Sequence, residues 1–104
     1  MNCRSDGGES MSKNTFVEGS FEPLIKRVID KKDMPMICVY KNPSDFPDKY
    51  VARLFRIKPG GDVVATRFVK VDDSYYGLIP AIPLGMMKLS RNMQDDPSVI
   101  ESWW

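Results

Sequence analysis

The fold is predicted by one segment, residues 36–57, whose sequence is M-I-C-V-Y-K-N-P-S-D-F-P-D-K-Y-V-A-R-L-F-R-I. Its first five residues are all apolar, which is typical of a strand that is covered on both faces. Its last eight residues, Tyr50–Ile57, are rich in aromatic and β-branched side chains and predict a second strand. Pro43 and Pro47 lie between these runs and lack backbone donors, so neither a helix nor a strand can continue through them. The segment therefore predicts a hairpin with a polar turn.

The residues after this hairpin extend the predicted sheet. Residues 58–62 contain Pro-Gly-Gly and predict a reversal, and residues 63–71 are a third, β-branched strand. Short connections between successive strands favour antiparallel pairing. Residues 74–82 predict one or two turns of distorted helix, because Gly77 and Pro80 are poor residues for a helix interior. The remaining predictions are a short strand at 86–89, a polar loop at 92–97 and a last strand at 98–104.

The N-terminal part divides into a tail and a helix. Residues 1–19 are polar and show little periodicity, which predicts a mobile tail. In residues 20–33 the apolar positions recur at helical spacing, with Ser20 placed to cap the first turn and Pro35 to end the helix. Such a short helix is marginal alone in water, so its apolar stripe must be covered. We expect the chain's own sheet to cover it, and a membrane surface or a protein partner is the alternative.

These patterns together predict an α+β fold. It consists of a small antiparallel sheet of four or five strands, an N-terminal amphipathic helix and a short distorted helix, in a single domain over residues 20–104. A chain of 104 residues with 42% apolar content is sufficient for one modest core.

Charge and cysteine content bear on the class of protein. Fifteen Lys and Arg residues balance fourteen Asp and Glu residues, which weighs against nucleic-acid binding. The longest uncharged run is interrupted by Pro and Gly and is too short to span a bilayer. The two cysteines, Cys3 and Cys38, do not suggest a disulfide framework, and Cys38 is expected to be a buried, small apolar side chain. We therefore expect a soluble protein of the reducing cytoplasm, without membrane contact.

Three parts of the chain form an ordered set of motifs: Y-K-N-P-S-D-F-P-D-K-Y-V-A-R-L at 40–54, V-D-D-S at 71–74 and I-P-L-G-M-M-K-L-S-R-N-M-Q-D-D-P-S-V-I-E-S-W at 82–103. In this order they resemble a family of small bacterial and phage proteins that has no known activity. The resemblance implies a strand–turn–strand unit, a third strand, a short helix, an Arg/Asp-Asp-Pro segment and a final strand that ends in Trp. It implies no catalytic residues and no cofactor. The chain departs from the family at residues 75–77, where the family has a more helical, acidic run, and in its added N-terminal segment.

The sequence offers little material for catalysis. It contains no histidine, which removes the usual general base and the commonest transition-metal ligand. Acidic residues on predicted loops could hold a hard cation such as Mg²⁺ if they converge, but turn and capping roles explain each of them locally. These residues are Asp45, Asp48, Asp72, Asp73, Asp95 and Asp96. Cys38 has no activating base nearby in the sequence. We therefore predict no catalytic, metal-binding or cofactor-binding residue, and a metal-dependent enzyme is the lesser alternative.

Basic residues alternate with aromatic residues on two predicted neighbouring strands. A sheet uses this composition to stack bases and to neutralise phosphates. The residues are Arg53, Phe55, Arg56, Arg67, Phe68 and Lys70. Alternation along a strand places Arg53 and Arg56 on opposite faces, and likewise Arg67 and Lys70, so only part of the set can form one patch. Nucleic-acid binding is therefore the alternative function.

Aromatic and methionine residues are concentrated in the C-terminal third. The candidate partner-binding residues are Tyr75, Tyr76, Met86, Met87, Trp103 and Trp104. Such side chains are enriched in the cores of protein interfaces, and a terminal strand presents an edge for pairing. We expect Trp103 to lie in the core, and leave open whether Trp104 is exposed or lies in a subunit contact. The predicted function is a small binding module that acts through protein–protein contact, including a homodimer, in a phage or accessory bacterial setting.

Overall fold

The computed structural model describes residues 14–44, 46–90 and 98–104. One helix, α1, spans Glu22–Asp30, and two short 3-10 helices span Tyr75–Gly77 and Ile79–Ala81. The strands are β1 (Thr15–Phe16), β2 (Met34–Lys41), β3 (Tyr50–Ile57), β4 (Val63–Asp72), β5 (Lys88–Ser90) and β6 (Val99–Trp103). They form one sheet in the order β1-β4-β3-β2-β6-β5.

The mixed helix-and-strand class is confirmed, but the sheet is larger than predicted. It has six strands instead of four or five. It is also not purely antiparallel, because β1 pairs with β4 in parallel, with Thr15 opposite Phe68 and Phe16 opposite Val69. β1 lies in the segment that was predicted to be a tail, and residues 1–13 of that segment lie outside the described residues. Two residues are too short a run for a strand pattern, so only their partner strand specifies them.

The hairpin predicted from residues 36–57 is formed by β2 and β3. Ile37 lies opposite Leu54, and Cys38 lies opposite Arg53. In the turn, the side-chain oxygen of Asn42 accepts a hydrogen bond of 2.8 Å from the backbone amide of Asp48. Both residues have positive φ, 54° and 63°, which Asn and Asp tolerate better than most residues. Asn42 and Asp48 therefore serve backbone geometry in this turn.

Both faces of the sheet are buried. The helix face, against which α1 packs, holds one apolar cluster. Its buried members are Val17, Phe21, Ile25, Val28, Ile37, Val39, Ala52, Leu54, Leu78, Ala81 and Ile82. The opposite face, here called the far face, holds a second cluster, formed by Met36, Cys38, Tyr40, Val51, Phe55, Ile57, Val69 and Val99. Alternate residues of β2 belong to different clusters, which explains why its sequence is apolar at successive positions.

The helix α1 is shorter than the predicted segment 20–33. Ser20 precedes it, and its hydroxyl oxygen accepts a 3.0 Å hydrogen bond from the amide of Glu22. The helix ends because Lys32 adopts a left-handed conformation, with φ of 64°, and the amide of Asp33 bonds back to the carbonyl of Val28. Pro35 does not act as the stop that the sequence predicted, since it already lies in β2.

The predicted distorted helix at 74–82 is replaced by two 3-10 helices. Ser74 begins the first, and its hydroxyl oxygen accepts a 3.2 Å hydrogen bond from the amide of Tyr76. Gly77 has no room for a side chain, because a Cβ there would collide with the carboxylate of Asp72. Pro80 lies within the second 3-10 helix, where it cannot donate to an α-helical hydrogen bond. These two residues limit the segment to tight single turns.

The last strands are close to the predicted segments, with shifted ends. β5 begins two residues after the predicted start at residue 86 and ends at Ser90, and β6 starts at Val99 and ends at Trp103. The loop predicted at 92–97 lies outside the described residues. None of the helices in the described part of the chain is long and apolar enough to span a bilayer.

Cys38 differs from its prediction in one respect. Its side chain is buried, as expected, but it is disulfide-bonded, and the described residues include no free cysteine. The only other cysteine of the chain, Cys3, lies outside the described residues. Because disulfides are rare in reducing compartments, Cys38 no longer argues for a cytoplasmic location.

Candidate protein-contact surface

Large apolar side chains are exposed where the chain passes from the second 3-10 helix into β5. Leu84 is fully exposed, Met87 is 68% exposed, and Leu89 is exposed as well. Leu84 lies between Pro83 and Gly85, whose φ of 95° marks a tight turn that projects the leucine outward. We call Leu84, Met87 and Leu89 the C-terminal surface.

A groove adjoins this surface. It has a volume of about 490 Å³, and its lining includes Leu84 itself. Apolar groups come from Ile79, Pro80, Ile82, Pro83, Met86 and Trp103, and polar groups come from Ser20 and Glu22 beside the start of α1. The volume falls within the range of roughly 300–1,000 Å³ that is usual for binding clefts. The groove can therefore receive a large side chain or a short extended segment.

The backbone beside the groove lies at the end of the sheet. The amide of Met87 donates to the carbonyl of Trp104 over 2.8 Å, and the amide of Trp104 donates back over 2.9 Å. β5 continues this pairing with β6 and is the last strand in the sheet order. Among the described residues, no strand pairs with the outer side of β5. An edge of this kind is a template for pairing with another chain.

A buried carboxylate holds the aromatic residues near the groove in place. One oxygen of Glu101, Oε2, accepts hydrogen bonds from the hydroxyl of Tyr75 at 2.7 Å and from the indole nitrogen of Trp103 at 2.8 Å. Burial, and then the hydrogen bond to Glu101, raise the pKa of Tyr75 to about 12. The neutral phenol therefore remains a donor throughout the physiological pH range, and the cluster positions aromatic rings rather than transferring protons.

The predicted partner-binding residues have different locations. Met86 and Trp103 line the groove, and Met87 belongs to the C-terminal surface. Tyr76 is 80% exposed, and its ring contacts the ring of Tyr75 edge-to-face, with 5.4 Å between centroids. Trp103 packs partly against the helix-face cluster, whereas Trp104 packs partly against the far-face cluster.

Three residues of this region were missed by the sequence reasoning. Leu84 and Leu89 are ordinary leucines in composition, but the Pro-Leu-Gly turn around Leu84 was a usable signal, since the tip of such a turn faces solvent. Glu101 is the single charged residue in the predicted last strand. Its role depends on Tyr75, which is distant in sequence, so no local pattern could reveal it.

The candidate nucleic-acid residues do not form one patch. Arg53 and Phe55 are only 2% and 1% exposed and belong to the interior. The guanidinium of Arg53 donates to the carbonyl of Thr66 at 2.7 Å and to the side-chain oxygen of Asn14 at 3.1 Å. The strand alternation was anticipated, but the sequence does not show that the far face is covered.

The other four members of that set remain accessible to different degrees. Arg56 forms an ion pair of 3.1 Å with the largely buried Asp33. The guanidinium carbon of Arg67, which is exposed, lies 5.7 Å from the centroid of the Phe68 ring, and Lys70 is partly buried. The structure thus brings Arg67 and Phe68 together and separates them from the buried Arg53 and Phe55.

Of the acidic residues considered as metal ligands, the structure describes Asp48, Asp72 and Asp73, and these act in turns and in one surface ion pair. Asp72 accepts a 2.9 Å hydrogen bond from the amide of Ser74, and Asp73 pairs with Lys49 and thereby raises the pKa of that lysine. Within residues 14–44, 46–90 and 98–104, no three His, Cys, Asp or Glu side chains are grouped as metal ligands. Asp45, Asp95 and Asp96 lie outside the described residues.

Comparisons with protein-family models, with curated proteins and with solved structures found no match to this chain. The resemblance carried by residues 40–54, 71–74 and 82–103 stays a prediction.

Proposed function

We propose that the protein is a binding module that works through protein–protein contact, and that the C-terminal surface pairs with a second copy of the chain. The observation that supports this most directly is the combination of exposed Leu84, Met87 and Leu89 with an outer side of β5 that no strand of the described residues pairs with. Exposed apolar side chains that are grouped beside a strand edge mark interaction sites in soluble domains.

A second copy suits this edge for a geometric reason. A two-fold axis placed beside β5 brings two identical strands together in antiparallel orientation. The backbone donors and acceptors of one β5 strand then face those of the other copy. Lys88 in β5 and Glu22 at the rim of the groove carry opposite charges, so the region is not self-repelling. The groove next to Leu84 then receives an apolar side chain from the partner.

Measurement of mass in solution tests this proposal. We expect light scattering coupled to size exclusion to show a dimer that dissociates on dilution. Replacing Leu84 and Met87 with glutamate places charges in the contact and is expected to give a monomer with an unchanged circular dichroism spectrum. The matched control is Ile29→Glu, because Ile29 is also an exposed apolar residue but lies on α1, away from β5.

Two outcomes contradict the proposal. One is a wild-type protein that stays monomeric at the highest soluble concentration. The other is a dimer that Ile29→Glu disrupts while Leu84→Glu/Met87→Glu does not. The phage or accessory bacterial setting is part of the proposal only through the resemblance of residues 40–54 and 82–103, and the dimer test does not depend on it.

Nucleic-acid binding is the second candidate, and the observation in its favour is the position of Arg67 over the Phe68 ring. An aromatic ring beside a guanidinium can stack a base while the cation contacts a phosphate. Fluorescence anisotropy with a labelled single-stranded oligonucleotide at low salt tests it. Binding that weakens with added salt and with Arg67→Ala supports this function, and an unchanged anisotropy at low salt excludes it.

A further inference from the structure

A second pocket lies between α1 and the β3–β4 part of the sheet. Its volume is about 240 Å³. Apolar side chains of Leu24, Val28, Leu54 and Phe68 form its walls together with Thr66. Its charged groups are Arg27, Lys31 and Arg56, all of them cationic. It is distinct from the groove beside the C-terminal surface, with which it shares no lining residue.

The helix supplies one side of this pocket through a regular stripe. Leu24 and Val28 are four residues apart, as are Arg27 and Lys31, so these residues lie along one side of α1 and of the capping residue that follows it. The first pair is apolar, and the second pair is cationic. α1 packs along β2 and leaves the helix-face side of β4 partly open, since Phe68 on that strand is only partly buried. The stripe therefore faces a space that the helix itself does not fill.

A strand irregularity supplies the opposite side. Arg53 pairs with Val69 and Phe55 pairs with Ala65, so one residue of β3 faces three residues of β4 between these pairs. The hydroxyl of Thr66 donates to the carbonyl of Leu54 at 2.6 Å and fixes this bulge. Bulges are frequent beside functional sites, because they re-aim side chains. Thr66 and Phe68, both in the bulge, line the pocket.

The charges around the pocket do not cancel. Of the three cations, Arg56 is paired with the carboxylate of Asp33. Arg27 and Lys31 form no ion pair with any other described residue, and both are exposed. Arg67 adds a further guanidinium next to the Phe68 ring. An apolar cavity whose mouth carries two cations that no described acidic group pairs with is complementary to a ligand that has an apolar body and an anionic head.

We infer that this pocket binds a small organic anion whose apolar or aromatic body packs against Leu54 and Phe68 while its carboxylate or phosphate meets Arg27 and Lys31. The volume is below the range of roughly 300–1,000 Å³ that is usual for drug-sized ligands, so the body is small. This inference is independent of the proposed dimer, since no residue of the C-terminal surface lines this pocket.

Titration with simple amphiphiles tests the inference. Octanoate and octyl phosphate are the anionic probes, and their relative affinities distinguish a carboxylate site from a phosphate site. Octan-1-ol and octylammonium carry the same apolar body with no charge or the opposite charge. We expect both anions to bind. Binding is monitored through the amide chemical shifts, and the largest changes are expected at Leu24, Thr66 and Phe68. Weaker or absent binding of the alcohol and of the ammonium ion is the expected contrast.

A pair of variants separates the pocket from general positive charge. Arg27→Ala/Lys31→Ala removes both free cations and is expected to weaken anion binding about tenfold or more, as loss of charge-assisted hydrogen bonds does. Lys26→Ala/Lys58→Ala removes the same charge from exposed positions outside the pocket and is expected to leave the affinity unchanged. Circular dichroism of both variants confirms that each remains folded.

Three results of the titrations would overturn the inference. They are no binding of either anion at millimolar concentration, equal binding of octan-1-ol, and shift changes that map to Met86 and Trp103 instead of the pocket. An equal loss of affinity in the two double variants would also overturn it. Leu84→Glu/Met87→Glu is expected to bind the anions like the wild type, so failure of the dimer proposal and failure of this inference remain distinguishable.

Discussion

Two regions of the molecule contain similar residues in different roles. One is the hairpin of β2 and β3, and the other is the C-terminal region from the 3-10 helices to β6. In the hairpin, consecutive apolar residues are buried on both faces, and the side chain of Asn42 in its turn bonds the backbone. In the C-terminal region, Leu84 and Met87 stay exposed, while Glu101 holds aromatic rings in position. Apolar content alone therefore does not distinguish the buried hairpin from the exposed C-terminal surface. The distinction depends on whether a second layer covers the side chain.

The largest expected effect comes from removing a hairpin side chain. Phe55→Ala deletes a ring that is 1% exposed, and such substitutions lower the free energy of unfolding by about 3–5 kcal/mol. Met87→Ala, on the C-terminal surface, is expected to change it by no more than about 0.5 kcal/mol. Urea denaturation followed by tryptophan fluorescence measures both. Similar losses in the two variants would contradict the assignment of one region to the scaffold and the other to the surface.

The next effect concerns the buried guanidinium of the hairpin. Arg53→Lys removes the hydrogen bond to the carbonyl of Thr66 and leaves a cation that cannot reproduce the planar geometry, at a cost of about 1–3 kcal/mol. Arg67→Lys is the matched change at an exposed position of the neighbouring strand, and it is expected to stay within about 0.5 kcal/mol. Thermal unfolding of the two variants compares them. A stable Arg53→Lys protein would show that the guanidinium only fills space.

A smaller effect is expected at the entrance to the C-terminal region. In Gly77→Ala the new methyl group collides with the carboxylate of Asp72, which must rotate and give up its bond to the amide of Ser74. The loss is about 1 kcal/mol, the usual contribution of one hydrogen bond. Gly60→Ala is the control, since nothing lies near its Cβ position and its φ is not left-handed. Equal stability of the two variants would argue against close packing at Gly77.

The smallest effect is spectroscopic. Because the folded-state pKa of Tyr75 is raised from 10.0 to about 12, its interaction with Glu101 is fully present below pH 10 and is lost as the pH rises toward 12. Absorbance titration of phenolate is expected to contain a late component with a midpoint near this value. Tyr75→Phe removes the late component and Tyr76→Phe keeps it. A late component that survives Tyr75→Phe would assign it to another tyrosine.

The sequence predicted the elements whose pattern is local. β3 has the bounds that its β-branched and aromatic run indicated, and β2 and β4 extend only slightly beyond their predicted ends. β1 was not predicted, because two residues in a polar segment form a strand only when β4 lies beside them. The burial of Arg53 was not predicted either, because strand alternation assigns a residue to a face of the sheet but does not show whether that face is covered.

The groove and the small pocket could not be predicted for a related reason. The groove joins Ser20 and Glu22 to a segment some sixty residues later, a contact marked by the hydrogen bond from Ser20 to the carbonyl of Ala81, 61 residues along the chain. The pocket joins α1 to a bulge on β4. The periodicity of a sequence describes one helix or strand at a time. A cavity depends on how two such elements pack against each other, which periodicity does not specify.

The position of β6 has a consequence for how the chain folds during synthesis. β6 lies between β2 and β5, and β2 pairs with it through contacts such as Ile37 with Trp103. Pairs so distant in sequence form late, because a long loop must close first. Until β6 is in place, the central strand β2 has an open edge, and β5 has no neighbour on which to form. The core of the sheet and the C-terminal surface therefore depend on the same strand, because β6 covers one edge of β2 and pairs with β5.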